Sequence, residues 1–209
     1  KVYVYNSVGV LLEIKAIPYT RYDILAAGNV MDDVNSVGDE IIFASDERDT
    51  FVIYPRSGPS VTTGFDWNFD GASVPGIKSE AHTDALTTGN FFGDEREEIL
   101  FVDQQSEKSL LYFYDGSGLL LARTRIRFTG YDTLASGNVL GNEYQEVIIG
   151  IDEDRAIYLM DPLTGILKMH HGRVTPVDVI AVADVTGEGK DDIFLAVDDD
   201  SKIYIYLQE

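Results

Sequence analysis

Apolar residues fall along the chain in short runs, each entered through an acidic residue: EIIFAS from Glu40, EILFVD from Glu98, EVIIGI from Glu146 and DIFLAV from Asp192. Each run is followed by an aromatic one, FVIYPRSG, LLYFYDGSG, IYLMDPLTG or the terminal KIYIYLQE, and the first three of these close on a glycine-containing turn. Such segments are strand-length, rich in β-branched and aromatic residues, and bounded by Gly, Pro, Asn or Asp, which predicts strands. Long stripes of 3.6-residue period are missing, so no helix is expected. The acid-led runs are apolar at consecutive positions, and a strand of that kind needs cover on both faces.

The pattern recurs. Gly28-Asn29, Gly89-Asn90, Gly137-Asn138 and Ala183-Asp184 precede the four acid-led runs, and the second residues of these pairs are spaced by 61, 48 and 46. The interval from the end of an aromatic run to the next pair is 24 residues from Tyr5 to Asn29, from Tyr114 to Asn138 and from Met160 to Asp184. It is 36 from Tyr54 to Asn90, which places a 12-residue insertion at about 60–77. A period of this size indicates a propeller, solenoid or array. Sheets stacked face to face satisfy both period and pattern, so residues 1–209 are expected to form one all-β domain, a β-propeller of about four four-stranded blades. A solenoid would need polar capping units, whereas these termini read as ordinary strands. Because KVYVYNSVG at the start and KIYIYLQE at the end are the same element, the last blade is expected to be closed by the N-terminal segment, with one strand displaced or extra. A fragment of a longer propeller is the alternative.

The units GNFFGDEREEILFV and ADVTGEGKDDIFLAV resemble the FG-GAP or VCBS repeats of integrin α-subunit propellers, bacterial secreted propellers and some fungal lectins. The resemblance extends over nearly the whole chain. It implies a β-propeller placed outside the cell, secreted or at the cell surface. The GH…WD signature of WD40 blades is absent, and the one tryptophan, Trp67, lies in the insertion.

Candidate sites follow from the repeats. In the last unit Asp184, Thr186, Glu188, the Lys190 carbonyl and Asp192 stand at the alternating positions of a calcium loop, with Gly189 at the sharp turn. Thr186 and the long Glu188 depart from that pattern. The sister turns put Phe92 and Leu140 at the third position, although Asn90, Asp94 and Glu98, or Asn138, Asn142 and Glu146, surround them, so these two are expected to be empty. The first turn, with Asp32, Asp33, Asn35 and Asp39, is longer. In the insertion Asp66, Asn68 and Asp70 begin a second possible calcium loop without its closing Glu, while Phe65, Trp67 and Phe69 offer ring faces for a sugar or a protein; covering a blade edge is the plainer use. Asp23, Asp84, Asp132 and Asp178 each precede an anchor by six residues and are expected to ring one mouth of the central channel, where crowded carboxylates attract a cation. Their alternative role is to cap the turns they sit in.

Charge narrows the partner. Sixteen basic and 36 acidic residues give a formal charge of −20, which disfavours nucleic acid and anionic membranes. No apolar run approaches the roughly 20 residues of a spanning helix, no signal peptide is visible, and the start at Lys1 suggests a processed, excised or partial product. With no cysteine a thiol nucleophile is excluded, no G-x-S-x-G occurs, and His82, His170 and His171 lack metal-ligand spacing. The expected function is a non-enzymatic extracellular module that binds glycan or protein and carries structural calcium. The alternatives are a propeller-type glycan hydrolase or lyase, and a structural propeller within a larger surface protein or toxin.

Overall fold

A computed structural model describes residues 1–5, 8–17, 24–31, 39–45, 50–55, 61–64, 85–94, 96–103, 109–165 and 167–208. The protein is all-β, with no helix among the described residues. Strands β1 (Val2–Tyr5) and β2 (Leu11–Lys15) form a hairpin. Three four-stranded antiparallel sheets follow in chain order: β3 (Ile24–Gly28), β4 (Glu40–Ser45), β5 (Thr50–Tyr54), β6 (Val61–Gly64); β7 (Ala85–Gly89), β8 (Glu98–Asp103), β9 (Ser109–Tyr114), β10 (Leu120–Ile126); and β11 (Thr133–Gly137), β12 (Glu146–Ile151), β13 (Ala156–Met160), β14 (Leu167–His171). The last sheet has three strands, β15 (Val179–Ala183), β16 (Asp192–Val197) and β17 (Lys202–Tyr206).

Each acid-led run is the second strand of its sheet, and the first residue of each Gly-Asn or Ala-Asp pair ends the first strand. The first strands lie against one another in sequence, β3 on β7, β7 on β11 and β11 on β15. Apolar residues at consecutive positions of β8 then serve two neighbours. Ile99 and Phe101 pack with Ile42, Ala44 and Ile53 of the preceding sheet, while Leu100 and Val102 pack with Val147, Ile149 and Ile151 of the following one. All six residues of β12 are buried for the same reason. In the third such core, Ile148, Ile157 and Leu159 meet Ile193, Leu195 and Val197. The fold is therefore a series of sheets held face to face by alternate sides of their inner strands, and hydrophobic burial at these interfaces is its main source of stability.

The expected closure of the last sheet by the N-terminal segment does not form: β1 pairs with β2, and β17 has no fourth strand beside it among the described residues. The physical reason is competition for one place. VYVY of β1 and IYIY of β17 are the same third-strand element, and β17 follows β16 through the short turn at 198–201, so its loop closes at far smaller entropic cost. Residues 61–64, at the start of the stretch where the insertion was expected, are strand β6, and the rest of that stretch lies outside the described residues.

Candidate functional site

The loop with calcium-like spacing folds as an amide-capped turn. Gly187 and Gly189 have φ of 78° and 84°, backbone that favours glycine. That path points three amides back at Asp184: Gly187 N–H (2.6 Å) and Glu188 N–H (3.2 Å) donate to its Oδ1, and Gly189 N–H (2.8 Å) to its Oδ2. The Gly189 amide leads in holding this carboxyl below its usual range. Asp192 is fully buried and directed elsewhere, accepting from Val185 N–H at 3.3 Å and Gln208 N–H at 3.0 Å. Thr186 Oγ1 lies 3.5 Å from Asp184 Oδ1, Glu188 is exposed, and Lys190 runs past Gly141 of the preceding turn. In this arrangement three backbone amides share the two oxygens of Asp184, while Asp192 accepts from Val185 and Gln208.

The sister turns reveal residues whose role spacing alone did not show. At the head of each second strand a buried carboxylate folds back onto its own turn. Glu40 accepts from Val30 and Met31 N–H (2.9 and 3.2 Å), Glu98 from Phe91 (2.8 Å), and Glu146 from Val139 and Leu140 (2.9 and 3.0 Å). Glu98 and Glu146, read from sequence as remnants of metal sites, are turn pins. Burial pushes the Glu98 carboxyl up to about 7, against the opposing pull of the Phe91 amide.

The residue just before each pin reaches the preceding sheet. Glu97 Oε2 accepts from Asn29 N–H (3.2 Å), Gln145 Oε1 from Asn90 N–H (3.2 Å) and Asp191 Oδ2 from Asn138 N–H (2.8 Å). Each also returns its own N–H to the carbonyl of the same Asn, at 3.0, 2.6 and 2.9 Å. This two-point clamp explains the glycine ahead of each Asn: a Cβ on Gly28 would stand 2.1 Å from Glu97 Oε2, and one on Gly89 2.4 Å from Gln145 Oε1. Burial raises the Glu97 carboxyl above its ordinary range. Beside the first clamp a cleft of about 450 Å³ opens between the first two four-stranded sheets, lined by Met31, Asp94, Arg96, Glu97 and Asp115.

Of the four expected channel-mouth carboxylates, Asp132 and Asp178 are described. Each ties the turn before its sheet to the turn after the second strand: Asp132 accepts from Thr129 N–H (2.6 Å) and Asp152 N–H (2.9 Å), and Asp178 from Thr175 N–H (2.6 Å) and Asp198 N–H (2.9 Å). The capping role is the one observed for these two. Asp132, Asp152 and Glu153 form the three-carboxylate group among the described residues whose oxygens lie within 4.8 Å of one another and could hold a metal ion. Burial, first among its causes, pushes the Asp132 carboxyl up to about 6. Arg127 offsets the group from outside, 3.3 Å from Asp154 and 4.0 Å from Glu153. Asp23, Asp84, the loop start Asp66, Asn68 and Asp70, and the aromatics Phe65, Trp67 and Phe69 lie outside the described residues.

No family model matches the chain, and no curated protein matches it. Among solved structures it is similar to a protein of unknown function from Bacteroides caccae, with a TM-score of 0.51 and 14% identity over 88% of this chain. The likeness is one of fold alone. The chain spans about half of that structure, 56% of its length.

Proposed function

We propose that the successive sheets are blades of a β-propeller of the FG-GAP or VCBS kind, and that the chain is a non-enzymatic binding module, secreted or at the cell surface. The observation that carries this reading is the clamp repeated from Asn29 to Asp191, together with first strands packed side by side. Propellers pack their blades about a central channel through such first strands. Rigid sheets with irregular turns are a scaffold on which binding residues are displayed. The extracellular placement comes from the family resemblance.

The acidic turns favour a protein partner with a basic surface. Asp152, Glu153 and Asp154 follow β12, Asp198, Asp199 and Asp200 follow β16, and the Asp132 and Asp178 bridges set both groups at the same end of their sheets. Clustered charge of one sign raises association rates with the opposite sign and makes them salt-dependent. A glycan is the second reading, carried by the aromatics of the insertion. Immobilised glycans and poly-L-lysine separate the two: salt-sensitive retention of the polycation supports the protein partner, and retention of intact sugar supports the lectin-like reading. Turnover of a bound glycan would replace both with a hydrolase or lyase. Binding to neither would favour a structural propeller in a larger surface protein or toxin. Structural calcium has a direct test as well, since an ion bound to the native state must raise the melting temperature and EDTA must lower it.

A further inference from the structure

Two hydrogen bonds that complete the turns of the β11–β14 sheet are missing from the β7–β10 sheet. In the former, Asn142 Nδ2 donates to Glu146 Oε1 at 3.0 Å and the Tyr144 hydroxyl donates to Asp161 Oδ2 at 3.1 Å. The equivalent positions of the latter carry Asp94 for Asn142, Arg96 for Tyr144 and Asp115 for Asp161. An ionised carboxylate at position 94 has no N–H to give. Glu98, 3% exposed, is held through Oε2 by the Phe91 amide at 2.8 Å, and no hydrogen bond reaches its Oε1 among the described residues. Asp115 takes the Ser117 and Leu119 amides and the Ser117 hydroxyl on Oδ1 alone, and no donor among the described residues reaches its Oδ2.

Glu98 and Asp115 both line the cleft of about 450 Å³ beside the first clamp, a volume in the range of small-molecule sites. Asp94 and Glu97 add two more carboxyls to its wall, Arg96 adds one cation, and Met31 and Leu121 supply apolar surface. Burial first, and the Asp94 charge with it, push the Glu98 carboxyl up to about 7, so a cation bound there would relieve a cost that the turn carries. Among the described residues these carboxyls do not converge as Asp132, Asp152 and Glu153 do, so they suit a bare metal ion poorly. Asp94, Glu98 and Asp115 each commit one oxygen to a backbone amide, so the parallel pair of acceptors that a guanidinium prefers is not offered. Single open oxygens on separate carboxyls match the N–H donors of ammonium groups.

We propose that this cleft binds a small aliphatic diamine or polyamine, one ammonium donating to Glu98 Oε1 beside Asp94 and a second to Asp115 Oδ2, with the methylene chain against Met31 and Leu121. The ligand then supplies the two donors that Asn142 and Tyr144 supply one sheet further on. The cleft lies at the head of strand β8, whereas the acidic turns at 152–154 and 198–200 follow the ends of β12 and β16. The inference is therefore independent of the partner proposed for those turns.

Isothermal titration calorimetry of the full chain with putrescine and spermidine tests it, at about 150 mM salt so that the −20 charge is screened. The expected result is saturable one-to-one binding, weakened about tenfold or more by Asp94→Asn, which gives Glu98 the amide that Asn142 gives Glu146. Because that variant copies a turn the protein already forms, it should melt no lower than wild type without ligand. Arg96→Tyr, copying Tyr144, should also weaken binding, although it removes a cation and simple charge attraction would then grow. Glu143→Gln takes one charge from the exposed sister turn and should bind as wild type does. Affinity should rise from about pH 6 to 8 as Glu98 ionises. Titration without saturation, equal binding by Asp94→Asn, or tighter binding by Arg96→Tyr overturns the proposal and leaves only counter-ion attraction. Displacement by equimolar Ca²⁺ overturns it in favour of a metal. A lysine-containing peptide that binds more tightly than either amine overturns the free amine in favour of a protein side chain.

Discussion

The turns at Asn138 and Asp184 occupy the same place in the repeat and do different work. At Asn138 the main chain is spent on the neighbouring sheet, with N–H donated to Asp191 and carbonyl accepting from it, and the side chain only steadies the turn through Asn142 O at 3.0 Å. At Asp184 no further sheet packs on the turn among the described residues, and the side chain gathers three amides of its own loop. An acidic, glycine-rich turn can thus carry the spacing of a metal loop because amides and cations call for the same lone pairs.

Substitutions at five positions break or sharpen this contrast, the largest expected effect first. Glu146→Ala should cost most, on the order of 2–3 kcal/mol in denaturant unfolding, because a buried and a partly buried amide lose their acceptor; Glu146→Gln should recover much of it. Gly28→Ala comes next, at about 1–3 kcal/mol, since its Cβ would meet Glu97 Oε2 at 2.1 Å and Thr88 Oγ1 at 2.3 Å. The counterpart Ala183→Gly should be close to neutral, because among the described residues no sheet lies over that anchor.

Glu98→Gln tests the pins by titration. The folded-state carboxyl sits at about 7, above its ordinary 4.5, so the native protein binds more protons than the unfolded chain between these values. Stability from this group is full below about pH 4.5 and is lost as pH rises through 7. Thermal melts from pH 4 to 8 should show that decline in wild type and a flatter profile in Glu98→Gln, which keeps an acceptor for Phe91 N–H. Asp184→Ala should have a small effect, a modest fall in melting temperature that is the same with EDTA as with added Ca²⁺. A fall that appears only with Ca²⁺ present would show that the loop rearranges to take the ion.

The local pattern carried much of this structure. EIIFAS, EILFVD, EVIIGI and DIFLAV are second strands from first residue to last, and each anchor ends a first strand, because alternation, turn residues and period are written in consecutive positions. The role of Glu98 and Glu146 was not legible, since a carboxylate at the head of an apolar strand looks the same whether it faces an ion or an amide. Closure by the N-terminal segment failed for a related reason: KVYVY and KIYIY carry one pattern, and competition between distant segments is settled by loop length. Asp132 and Asp178 show an intermediate case, in which a turn-capping role could be stated from sequence but not chosen over a channel ring.

The clamp bears on how such a chain can change over time. Its contacts on the anchor side are main-chain atoms, and its acceptor is Glu at one joint, Gln at the next and Asp at the third. A joint with so little demand on residue identity lets a gene gain or lose repeats by unequal crossing-over without new contacts having to be invented. The portable module then runs from the middle of one sheet to the middle of the next, because a cut at a sheet boundary would separate the two halves of a joint.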